Sequence, residues 1–114
     1  MIAVIFEAVP ADDQLGLYLD IAARLKPELS KIEGFISIER FQSLSTPGKV
    51  LSLSFWEDEQ AVEQWRNMEM HRSAQAMGRS TVFNDYQIRI AQVFRNYTRY
   101  NREEAPSDSR KVHG

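Results

Sequence analysis

Two stretches of alternating residues, Phe35–Leu44 and Lys49–Trp56, converge on Thr46-Pro47-Gly48-Lys49. Pro presets φ for the first corner of a type II turn and Gly accepts the positive φ of the second, so the pair predicts a tight reversal. An antiparallel hairpin is therefore the firmest element of the chain, and every other segment must be built around it. Along its second strand Leu51, Leu53 and Phe55 oppose Ser52, Ser54 and Trp56; along its first, Phe35, Ser37, Glu39 and Phe41 oppose Ile36, Ile38, Arg40 and Gln42.

The flanking segments change period from two to 3.6. Met1–Val9 is rich in Ile, Val and Phe with no turn residue inside, as a mostly buried strand requires. Pro10-Ala11-Asp12-Asp13 ends it and supplies acids for a helix start. Leu15, Tyr18, Leu19, Ala22, Leu25, Leu29 and Ile32 then follow helical spacing, with a kink or split expected at Pro27 and a C-cap at Gly34. After the hairpin, Glu57-Asp58-Glu59 suits the positive end of a second helix with Ala61, Val62, Trp65 and Met68 on one face. Met70, Ala74 and Met77 extend it, Gly78 stops it, and Arg79–Asp85 connects to a last strand over Tyr86–Tyr100. Residues 1–100 read as one folded domain, and Asn101–Gly114, polar and charged, as a C-terminal tail.

Strand, helix, hairpin, helix, strand is a ferredoxin-like βαββαβ unit of the α+β class: a four-stranded antiparallel sheet with both helices on one face. Leu51, Leu53, Phe55, Ile36 and Ile38 are expected to face the helices, which leaves Phe41 and Trp56 on the other side. That second face is too apolar for open water, and a last strand longer than the usual 5–6 residues or so points past its own sheet. A two-fold homodimer is the expected solution.

Composition excludes several partners. A formal charge of −2 gives no basic excess for nucleic acid or anionic lipid. The absence of cysteine removes disulfides, thiolate nucleophiles and thiolate-held metals, and fits a cytoplasmic location. The apolar start has no basic leader and is too short for a signal peptide or a membrane span. No phosphate-binding Gly motif, nucleophile elbow or carboxylate-histidine metal set is present.

Gly34-Phe35 opening a strand, Ser54-Phe55-Trp56-Glu57 ending one, an acidic helix start, Trp65 and then His71 resemble the antibiotic biosynthesis monooxygenase (ABM) family over about residues 1–97. The resemblance implies a ferredoxin-like protomer paired into a dimeric α+β barrel. It also implies one of several activities, since members include cofactor-free oxygenases of quinols and polyketide aromatics and haem-degrading oxygenases. Trp65, nine residues after Trp56, matches the tryptophan that haem-degrading members place beside their porphyrin. Gln75 stands where those members carry the axial histidine and Glu7 where they carry a first-strand asparagine. Gln is a poor iron ligand and a carboxylate cannot donate as an amide does, which argues against haem degradation of that type.

The candidate catalytic residues are His71 and Trp65. His71, the one histidine outside the tail (His113 is the other), can act as base on a phenol or quinol, and Gln75 lies one helical turn beyond it. Substrate would sit between sheet and helices, with Trp56, Phe41, Gln75, Phe6 and Arg89 as binding residues. Bland roles compete with these: Trp65 as a core anchor, His71 as a partly exposed helix residue, Arg89 and Arg95 in a dimer salt bridge, and Asp58, Glu59 and Glu63 as a solvated face. The leading expectation is cofactor-independent oxidation of an electron-rich aromatic or quinol. A haem-binding oxygenase using His71 and a non-catalytic ligand-binding dimer are the alternatives.

Overall fold

The Pro47-Gly48 turn does join two antiparallel strands: Gly48 has φ +83°, and the Ser43 N–H donates to the Lys49 carbonyl at 3.0 Å. The computed structural model describes residues 1–77 and 83–113, with side chains described outside 69–77 and 113. Its elements are β1 (Ile2–Pro10), α1 (Leu15–Leu29), β2 (Phe35–Gln42), β3 (Val50–Trp56), α2 (Glu59–Met77), β4 (Phe83–Gln92) and α3 (Ser107–His113). The sheet order is β2-β3-β1-β4, and every pairing is antiparallel. This is the ferredoxin-like α+β arrangement, with α1 and α2 on one face.

Register decides which residues share a face. Ile2, Val4, Phe6 and Ala8 of β1 stand opposite Trp56, Ser54, Ser52 and Val50 of β3, and opposite Gln92, Ile90, Ile88 and Tyr86 of β4. Val4, Trp56, Leu29, Ile32, Ala61, Val62 and Trp65 form one buried cluster; Phe6, Ala8, Tyr18 and Val50 form another. The helices therefore cover the row that holds Trp56, Ser54 and Ser52. This reverses the expected orientation of the hairpin: Leu51, Leu53 and Phe55 lie on the open face with Ile5, while Trp56 is 0% exposed beneath the helices.

The small residues explain the inversion. Ser52 and Ser54 let a helix approach the sheet closely, and the Trp56 indole N–H satisfies the buried Ser54 hydroxyl at 2.9 Å. On β2 the alternation is broken by an irregularity between Phe35 and Ser37, where Ile36 is the extra residue of a bulge. Phe35 consequently shares the helix side with Ile38 and Arg40, whereas Ile36 is 47% exposed.

Helix ends differ from expectation in one case and match it in another. Asp12 and Asp13 sit in the turn before α1, Asp13 at φ +66°, and the first turn of α1 carries no acid. α1 runs through Pro27 and ends at Leu29, where Ser30 Oγ donates to the Pro27 carbonyl at 2.8 Å. Pro27 stands close enough to the C-terminus that the lost N–H is a small defect. α2 starts as the acids predict, with Asp58 Oδ1 accepting the Ala61 N–H at 2.9 Å. The Gly78 stop and the connector beginning at Arg79 lie outside the described residues.

Gly34 locks the two crossovers together. It has φ +95°, its carbonyl accepts the Glu57 N–H at 2.7 Å, and a Cβ there would stand 3.0 Å from the Ala61 Cβ. Only glycine meets both demands without strain. At the other end of the chain β4 stops at Gln92 rather than reaching Tyr100, and the polar tail contains α3.

Candidate active site

The helix side of the sheet carries two aromatic groups. At one end the Trp56 ring lies 5.2 Å from Phe35 and 5.9 Å from Trp65. At the other, Phe6, Tyr18, Phe83 and Tyr86 pack with ring centroids 5.3–6.1 Å apart. Between and beside them β4 presents Ile88 and Ile90 next to Phe6 and Val4. Ile88 and Ile90 are 45% and 46% exposed, whereas Val4 and Phe6 beside them are buried. The apolar wall thus continues onto β4, where it is open.

Trp65, Trp56 and Phe6 all project to this side, as a pocket between sheet and helices requires. Trp65 and Trp56 are also structural, since both belong to a single buried cluster with Val4 and Leu29. His71 and Gln75 lie on α2, one turn apart, but their side chains fall outside the described residues. Phe41 and Arg89 do not lie on the helix side. Phe41 pairs with Leu51 on the open face, and Arg89, paired with Ile5, donates to Glu7 Oε2 at 3.2 Å on the same face. Lys49 Nζ lies 3.8 Å from the same carboxylate.

The other aromatic residues of the helix side are not legible in the sequence. Tyr18 was read only as a helix-face residue, and Phe83 was placed in a connector. Arg40 was also passed over: its guanidinium stacks over the Tyr18 ring at 5.9 Å, with Nε 3.4 Å from the hydroxyl. The register of β1 with β4 is the signal that would have found Ile88 and Ile90, because it sets them beside Phe6 and Val4.

Of the positions compared with haem-degrading members, the side chains of His71 and Gln75 lie outside the described residues, and Glu7 lies within them. Glu7, the counterpart of the first-strand asparagine, points to the open face and is held there by Arg89 and Lys49, away from any porphyrin between sheet and helices. Among the described residues no group of three or more His, Cys, Asp or Glu gathers where a metal ion would be held. No described helix is long and apolar enough to cross a membrane.

The sequence profile of the antibiotic biosynthesis monooxygenase family matches residues 1–77. The chain belongs to the ABM family. It is 50% identical over 93 residues to the jasmonate monooxygenase ABM of Pyricularia oryzae, covering 82% of this chain and 43% of that protein. This chain therefore spans less than half the length of that relative. It is 30% identical over 93 residues to the uncharacterized protein YqjZ of Bacillus subtilis, covering 82% of this chain and 79% of that one. Among solved structures, a MhuD variant with two manganese protoporphyrin IX molecules bound per active site aligns at a TM-score of 0.68 and 11% identity. That alignment covers 86% of this chain and 99% of the other, a likeness of fold alone.

Proposed function

We propose that this ABM protein is a cofactor-independent oxygenase of a small electron-rich aromatic or quinol. The observation that supports this most directly is the apolar wall of Phe6, Ile88, Ile90 and Tyr86, half open beside a fully packed core on the side that carries α2. Such a surface holds a flat apolar ring by burial and stacking and excludes water from it. His71 takes the phenolic proton, and Trp65 walls one end of the site. The substrate anion then reduces dioxygen: one oxygen atom enters the product, the other leaves as water, and the substrate supplies the electrons.

Family membership supports oxygenation, and the Pyricularia relative adds a second substrate to test, the jasmonate of its name. His71→Ala should lower oxygen uptake on a hydroquinone roughly 10²–10⁴-fold, the usual worth of a general base, with an unchanged thermal midpoint. Equal uptake by wild type and variant removes His71 from the mechanism. Quinol binding without oxygen uptake, on quinol or jasmonate, makes the protein a ligand-binding module instead.

We further propose that the functional unit is a homodimer joined through the open face. Ile5, Leu51, Leu53 and Phe55 lie there beside Phe41 and Ile36, which are 42% and 47% exposed. Covering such a row stabilises a pair by about 25 cal/mol for each Å² of apolar surface removed from water.

A further inference from the structure

We infer that residues 93–113 form a preorganised arm that clasps the second copy of this chain at the rim of the open face; this rests on the open-face dimer. The chain leaves the sheet after the Val93 N–H donates to the Met1 carbonyl at 3.0 Å. Val93, Arg95 and Asn96 then line a recess with Met1, Ile36, Ser37 and Phe55. The root of the arm thus lies along the same face that a second copy covers.

Beyond its root the arm is tied to itself. Thr98 Oγ1 accepts the N–H groups of Tyr100 and Asn101 at 3.2 and 2.9 Å, and the Thr98 N–H donates to the Asn101 carbonyl at 2.8 Å. Arg102 stacks over Tyr97 at 5.1 Å and donates to Ser109 Oγ at 3.0 Å. Arg110 donates to the carbonyls of Arg102 and Glu103, and Ala105 is buried within. A segment already ordered loses little further entropy on docking.

What this arm displays has no cover in the single chain. Phe94 and Tyr100 are 90% and 89% exposed, an unusual display for two large rings on one short segment. The chain is also drawn out, at 55 × 35 × 19 Å with a radius of gyration of 16.7 Å. A compact domain of this length has about 13 Å. Charge selects the partner: residues 1–92 hold nine basic and thirteen acidic groups, net −4, whereas 93–114 hold five and three, net +2. Among the described residues Arg95, Arg99 and Lys111 form no ion pair. A basic arm with bare rings fits an acidic body, and the second copy brings that body to the rim where the arm begins.

The chain has no cysteine, so Tyr100→Cys labelled with a benzophenone maleimide gives one photocrosslinking site. In dimers mixed from ¹⁴N and ¹⁵N protomers, crosslinks should join unlike protomers, at positions within residues 1–92. Crosslinks confined to one protomer overturn the clasp. In sedimentation, Phe94→Ser with Tyr100→Ser in the full chain should raise the dimer dissociation constant at least tenfold. A constant within twofold of wild type overturns the clasp and leaves the open-face dimer standing. A wild-type monomer at micromolar concentration removes the dimer itself.

Discussion

The two faces of this sheet are nearly equal in apolar content and opposite in fate. Beneath the helices Trp56, Val4 and Ser54 are essentially sealed, at 0%, 1% and 1% exposure. On the open face Leu51, Leu53 and Phe55 are only half-buried, and Phe41 and Ile36 lie more open still. Bulk hydrophobicity therefore does not choose the inner face. The placement of small residues does, because Ser52, Ser54 and Ala8 admit a helix where a row of Leu and Phe holds it away.

The sharpest way to break this comparison is to truncate the sealed side. Trp56→Ala removes a ring packed on Phe35 and Trp65 and strips the buried Ser54 hydroxyl of its donor. Urea unfolding should show a loss of about 3–5 kcal/mol, the range for large-to-small core changes; a loss below about 1 kcal/mol would mean the helix side is not the core. Leu53→Glu tests the other side. Light scattering should change from twice the 13.2 kDa chain mass to that mass itself, with the single chain still folded. An unpaired charge in a covered apolar face costs a few kcal/mol, roughly a hundredfold in dissociation constant. A dimer that survives the change uses a different surface.

The smallest effect belongs to Arg89→Ala. Its bond to Glu7 is well formed, but the two side chains are 52% and 31% exposed. The loss in unfolding free energy should stay under about 1 kcal/mol and fade in salt. A larger, salt-insensitive loss would show that the Glu7 cluster is sealed by the second copy.

The hairpin, the order of elements along the chain and the βαββαβ class were legible because periods of 2 and 3.6 residues are properties of local sequence. The facing of the hairpin was not, since both rows of Lys49–Trp56 carry large apolar groups and nothing local says which meets a helix. The bulge at Ile36 was equally silent; it moves Phe35 onto the helix side against the alternation of its strand. The last strand was overextended because Phe94 keeps the alternating pattern going into the arm. At the site Trp65 was readable from helical spacing, whereas Trp56 reaches the helix side only through the inverted facing of the hairpin. Ile88, Ile90 and Phe83 join them only through the pairing of β1 with β4, a contact between segments about eighty residues apart. Arg89 was misplaced for the same reason, since its face is set by that distant register, whereas Phe41 lies on the face away from the helices, as the alternation of its strand implied.

Gly34 makes the candidate site mechanically dependent on a residue that touches no ligand. α2 is a rod of 19 residues, about 28 Å long, and it is pinned near its first turn, where Ala61 meets Gly34. His71 stands ten residues further along, about 15 Å from that pivot. A side chain at position 34 would push on the short arm of a lever, and a tilt of a few degrees there carries the far half of the rod through an ångström or more. The placement of the far half of α2, His71 with it, thus depends on the clearance at a fulcrum, a gap left by a missing methyl group.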